Sequence, residues 1–151
     1  MEYFFEEDQK FRQWWLWAIM LATLIFTTII TKFNIFSITL FSLVLALLYI
    51  SKLRVKVSNK VIYYQFFPFH LKAHQIRLKE IESFKSITYS PITDYGGWGI
   101  RYSFRGTAYN VSGNKGVHIE LKSGKKILFG SQRSQEFEDA IRRNHTALIT
   151  K

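Results

Sequence analysis

Two histidines, His70 and His74, stand four residues apart, a spacing that on a helix would let both imidazoles reach one zinc ion. They follow Pro68 in a β-rich stretch, and no neighbouring carboxylate or cysteine completes a ligand set, so no metal or cofactor is expected. Ser112-Gly113-Asn114-Lys115 and Ser123-Gly124-Lys125-Lys126 both fit S-x-x-K, the spacing of a serine nucleophile and its lysine. Each falls at a hairpin turn rather than at a helix start. Glu80 and Glu82 share a strand face but have no partner acid. The absence of cysteine removes disulfides, thiol catalysis and thiolate metal sites. No catalytic set assembles, and the chain is read as a non-enzyme.

Binding chemistry has better candidates. Lys52, Arg54 and Lys56 alternate with Leu53, Val55 and Val57, which puts three cations on one strand face, and Lys60 lies just across a turn. Such a face would hold anionic lipid headgroups, or serve only as a topology signal beside an apolar segment. The second candidate is Tyr95-Gly96-Gly97-Trp98-Gly99 with Arg101. Its glycines would let backbone approach a partner or ligand around an exposed Trp98, or would simply form a bend that folds Trp98 over the core. If a small molecule binds, a cleft near Trp98 and Arg101 is where converging polar groups are expected.

Charge is divided unevenly along the chain. Residues 51–151 carry 18 Lys and Arg against seven Asp and Glu, a net +11, while residues 14–50 contain one charge, Lys32. The first thirteen residues are acidic, at −2. Nucleic-acid binding would rest on the basic excess alone, since neither a recognition helix nor a run of stacking aromatics accompanies it. It is not expected.

Trp14–Ile30 and Phe33–Ile50 are runs of 17 and 18 uncharged residues separated only by Thr31-Lys32. The strong apolar residues of the first run alone favour insertion by roughly 2–5 kcal/mol, and neither run shows the polar stripe of a soluble helix. The reading is a transmembrane helical hairpin over 14–50. Positive-inside bias and the aromatics Trp14, Trp15, Trp17 and Tyr49 put both termini on the cytoplasmic side. Ala18 and Ala22 on one helix lie level with Ala46 and Ser42 on the other, an arrangement that would bring the backbones close.

Beyond Ile50 the period changes to two. Strands are expected over 53–57, 61–67, a stretch ending at Ile87–Tyr89, 99–104, 107–111, 117–121 and 126–129, about seven in all. Ser134 is a candidate N-cap for a terminal amphipathic helix carrying Phe137 and Ile141, with Arg142 and Arg143 in its last turn. The chain divides into an N-terminal segment (1–13), the hairpin (14–50) and a β domain (51–151).

This order resembles the bacterial pleckstrin-homology-like domain, two near-orthogonal sheets capped by a C-terminal helix. Glu7 to Trp17 (EDQKFRQWWLW), Tyr95 to Arg101 (YGGWGIR), Ala108 to Val111 and Gly113 to Gly116 are similar to a group of uncharacterised two-helix bacterial membrane proteins carrying such a domain. The resemblance implies an α+β membrane protein of the bacterial inner membrane with a cytoplasmic, helix-capped antiparallel β-barrel or sandwich, and it supplies no ligand. The expected function is a membrane-anchored interaction module touching anionic lipid and a protein partner or its own copies. The alternative is a small-molecule sensor, or an accessory subunit of a membrane enzyme, with a pocket in the β domain.

Overall fold

The acidic N-terminal segment is a strand. In the computed structural model, which describes residues 3–149 (the side chains of 148 and 149 excepted), β1 (Tyr3–Lys10) pairs antiparallel with β2 (Lys52–Ser58). Its inward residues are Phe5, Glu7 and Gln9, one apolar and two polar. Phe5 stacks on Phe137 with ring centroids 4.9 Å apart. Gln9 is buried and donates from Nε2 to the Gly130 carbonyl at 2.6 Å. Glu7 accepts from Ser131 Oγ at 2.5 Å and from the Gln132 amide at 3.0 Å. Those partners lie in the loop that precedes the last helix.

The chain leaves β1, forms two helices, α1 (Trp14–Ile30) and α2 (Ile35–Ile50), and returns as β2. The transmembrane hairpin expected here is not supported: among the described residues no helix is long and apolar enough to cross a membrane. α1 has 17 residues and α2 has 16. At about 1.5 Å per residue these reach roughly 25 and 24 Å, under a hydrocarbon core of about 27–30 Å. The second run loses its first two residues to the turn. Lys32 and Phe33 adopt φ of 51° and 61°, and Asn34 caps α2 by accepting from the Ser37 amide at 3.2 Å. The multi-pass placement in a bacterial inner membrane, with cytoplasmic termini, rested on those spans and falls with them.

The packing of the hairpin also differs from expectation. Ala18, Ala22, Ser42 and Ala46 are all exposed. The half-buried stripe instead runs through Met20, Leu24 and Thr27 on α1 and Ile38, Phe41, Leu45 and Leu48 on α2. Thr23 and Thr27 return their hydroxyls to the carbonyls of Ile19 and Thr23, at 2.8 and 2.9 Å, so neither hydroxyl is stranded.

From β2 the chain meanders through β3 (Val61–Phe67) and β4 (His74–Arg77), completing a four-stranded antiparallel sheet in the order β1-β2-β3-β4. A single 3-10 turn (Leu78–Glu80) leads to β5 (Ile81–Thr88). After α3 (Pro91–Tyr95) come β6 (Gly99–Ser103), β7 (Gly106–Asn110), β8 (Lys115–Leu121) and β9 (Lys126–Gly130). The second sheet has the order β5-β8-β9-β7-β6, with β7 and β9 parallel. Among the described residues the part beyond Ile50 thus holds eight strands rather than about seven, β1 adds a ninth from outside it, and the second sheet is mixed rather than wholly antiparallel.

The main core lies between the sheets. Leu53, Val55 and Val57 of β2 and Ile62, Tyr64 and Phe66 of β3 face Val117, Ile119, Ile127 and Phe129. The last helix, α4 (Ser134–Ile149), inserts Phe137 and Ile141 into the same cluster. A smaller cluster of Tyr89, Tyr95, Ala108 and Leu128 covers the opposite face of the second sheet. That second covering explains why residues 127–130 are buried without alternation. Because α4 continues to Ile149, Arg142 sits in mid-helix and pairs with Glu138 instead of complementing the helix end. Residues 150 and 151 lie outside the described residues.

Candidate ligand-binding site

The root of the hairpin is fastened to the β domain by aromatic and amide groups. Trp17 Nε1 donates to the Phe11 carbonyl at 2.9 Å, and its ring meets Tyr49 edge-on at 6.2 Å. Gln13 Nε2 donates to the Val111 carbonyl at 2.8 Å. Trp15 lies 5.7 Å from Trp98, ring centroid to ring centroid. These tryptophans thus tie the helices to the sheets, and Trp14 alone of the three at the start of α1 stands largely in solvent.

Trp98 is presented by a loop in which glycine is required. Gly96 ends α3 in the left-handed region at φ 73°, and Gly97 and Gly99 follow at 123° and 112°. The Gly99 amide donates to Asn110 Oδ1 at 2.9 Å, and Asn110 Nδ2 donates to the Tyr89 hydroxyl at 3.0 Å. Trp98 Nε1 reaches the Gly113 carbonyl at 3.2 Å. The loop is therefore a fixed bend, and its tryptophan folds back toward the hairpin. Asn110 is itself fully buried.

Between this bend and the hairpin root lies a cleft of about 650 Å3. Trp15 and Leu16 of α1, Leu47 and Leu48 of α2, Phe66 and Phe69 around the end of β3, and Trp98, Ile100 and Val111 give it apolar walls. Its polar lining is sparse: Gln13, Ser51, Arg101, the Tyr102 hydroxyl, the Trp15 indole N–H and the backbone of the glycine bend. Ser51 Oγ is spent on the Leu47 carbonyl at 2.7 Å. Gln13 Oε1 is buried with no hydrogen-bond donor. A volume within the roughly 300–1,000 Å3 of small-ligand sites, with apolar walls and few polar groups, is the form such sites take.

The basic strand is placed differently from the lone cationic face that its alternation suggests. Asp8 and Glu6 of β1 stand directly across from Arg54 and Lys56 and pair with them, each at 2.7 Å. The bidentate hydrogen bond from Arg54 holds the Asp8 carboxyl below its ordinary range. Lys56 Nζ also sits 4.6 Å over the Tyr3 ring. Two of the four proposed lipid-contact cations are thereby neutralised. Lys52 and Lys60 have no acidic partner among the described residues. The neutralising acids lie in a segment whose strand character the sequence did not announce.

His70 and His74 do come together, with ring centroids 4.4 Å apart beside Tyr64 and Tyr109. Among the described residues no group of three or more His, Cys, Asp or Glu gathers to hold a metal. His70 Nδ1 instead accepts from the Phe66 amide at 3.4 Å. Burial, and secondarily the neighbouring His74, lowers the His70 pKa from 6.5. Burial does the same to His118. Both imidazoles therefore bind a proton less readily folded than unfolded. Their contribution to stability is complete above about pH 6.5 and declines as pH falls toward their lowered values. Thermal melts between about pH 7 and about pH 5 should show stability falling with acid. The double variant His70→Gln/His118→Gln should flatten that slope; an unchanged slope would refute the assignment.

Compared with known proteins, the chain matches no family model, no curated protein and no solved structure. The functional reading therefore stands on the site alone.

Proposed function

We propose that this chain is a non-enzymatic binding module, a pleckstrin-homology-like β domain whose apolar cleft takes a small ligand between its glycine bend and the root of its helical hairpin. The fold part of this reading is supported by the four-stranded meander, by the antiparallel set β5-β8-β9 and by α4 packed into the core. The β6–β7 hairpin is an addition at the far edge of the second sheet. The single observation that carries the binding reading is the 650 Å3 cleft itself, apolar where ligand would lie and built from both the hairpin and the β domain.

A second reading is favoured by a different observation. Neither helix of the hairpin has a buried residue, and Ile19, Ile25, Phe26 and Ile29 are well exposed. A contiguous apolar surface of this kind suits docking to an apolar face of a protein partner. One titration separates the two. The neutral dye N-phenyl-1-naphthylamine is added to the full-length protein and to Ile100→Trp, which puts an indole into the cleft. Cleft binding predicts saturation at about one dye per chain and at least a roughly tenfold loss of affinity in the variant. Equal binding by both proteins would place the dye on the hairpin surface and refute the cleft reading.

A further inference from the structure

We propose that the cleft selects single-chain amphiphiles with an anionic carboxylate or phosphate head, held by Arg101; this rests on the binding reading above and adds the chemistry of the ligand. Among the described residues, Arg101 is the only charged one lining the cleft. It is exposed, so its guanidinium stands at the rim, and it has no acidic partner among the described residues. Its orientation is fixed by the bend. Nε donates to the Trp98 carbonyl at 2.9 Å, and the guanidinium lies against Gly97, where an added Cβ would stand 3.4 Å from Nη2. With Nε engaged in this way, the two terminal nitrogens remain available for a ligand. A guanidinium held in this manner presents paired N–H donors to a carboxylate or phosphate without first having to be ordered.

The remainder of the cleft suits a hydrocarbon chain. Leu16, Leu47, Leu48, Phe66 and Trp98 offer no hydrogen bond to a polar body, apart from an indole N–H already given to Gly113. Beyond the unpartnered Gln13 Oε1 and a few other polar groups, a highly polar or doubly charged small molecule would find little there to compensate for its lost hydration. An apolar tail gains from burial, and an anionic head that stays at the mouth meets the Arg101 guanidinium.

The test is calorimetric titration of the full-length protein with four twelve-carbon probes, the ionic ones below their micellar concentrations and the alcohol below its solubility limit: dodecanoate, dodecyl phosphate, dodecanol and dodecyltrimethylammonium. The two anions should bind at about one per chain and roughly tenfold or more tighter than the alcohol, with the cation weakest. Arg101→Gln should bring the anions down to the affinity of dodecanol while leaving dodecanol unchanged, which also shows that the variant is folded. Arg101→Lys should restore part of the preference. Equal affinity for anions and alcohol, or an anion preference that survives Arg101→Gln, would overturn the headgroup assignment and leave the cleft reading intact. Failure of all four probes to bind saturably would overturn both.

Discussion

Phe137→Ala is expected to cost the fold about 3–5 kcal/mol, enough to leave the chain largely unfolded if its total stability is near the lower end of the usual range. Phe137 is fully buried and stacks on Phe5 with the planes 6° apart. It also meets Phe129 at 6.2 Å. It therefore joins three elements: β1, the second sheet and α4. Truncation removes the ring from water-free surroundings and opens a cavity that rigid strands on two sides cannot collapse into. Urea unfolding followed by far-ultraviolet circular dichroism gives the number. A loss below about 1 kcal/mol would mean that α4 does not plug this core.

The second large effect is expected at Gly106. A Cβ there would lie 2.3 Å from the Lys126 carbonyl oxygen, and φ is +111°, where side chains are strained. Gly106→Ala should cost about 2–4 kcal/mol, combining backbone strain with a clash against main chain that cannot swing away. Gly124→Ala provides the comparison. Its φ is +82° but nothing lies within 4 Å of the added carbon, so only strain remains, about 1–2 kcal/mol. The clash sits beside the parallel pairing of Thr107 with Ile127, so the loss at Gly106 should be accompanied by faster amide exchange in β7 and β9. Equal costs at the two glycines would show that the β7–β9 contact is looser than described.

What could be read from the sequence depended on which side chains point inward. β2 and β8 announce themselves because Leu53, Val55 and Val57, or Val117 and Ile119, alternate with charged or polar residues, while β3 is marked by its β-branched and aromatic run and β9 by the Ser123-Gly124 turn before it. β1 is silent because two of its three inward positions are Glu7 and Gln9, which face hydrogen-bonding groups rather than oil. β4 is silent because Ile76 alone is buried. The hairpin was legible as two helices, and α1 keeps the bounds Trp14–Ile30, but the start of α2 was not legible, since Phe33 and Asn34 are apolar and neutral in composition yet belong to the turn and cap. The pairing of Arg54 with Asp8 spans 46 residues, most of them in that excursion, so no local pattern could have exposed it.

The site was legible only in part. The glycines of the bend and the nearby Trp98 and Arg101 stand out in the sequence by type. The other wall comes from Trp15, Leu16, Leu47 and Leu48, which read there only as members of apolar helices. Their role depends on where β1 and β2 anchor the hairpin, and that pairing became visible only with the fold.

The most direct measurement is photo-crosslinking of the full-length protein with a twelve-carbon carboxylate carrying a diazirine on its chain, followed by peptide mapping. The account predicts labels concentrated on the segments holding Trp15–Leu16, Leu47–Leu48 and Trp98–Tyr102, and suppressed by excess dodecanoate. Labels spread over Ile25, Phe26 and Ile29 at the far part of the hairpin, undiminished by the competitor, would contradict it.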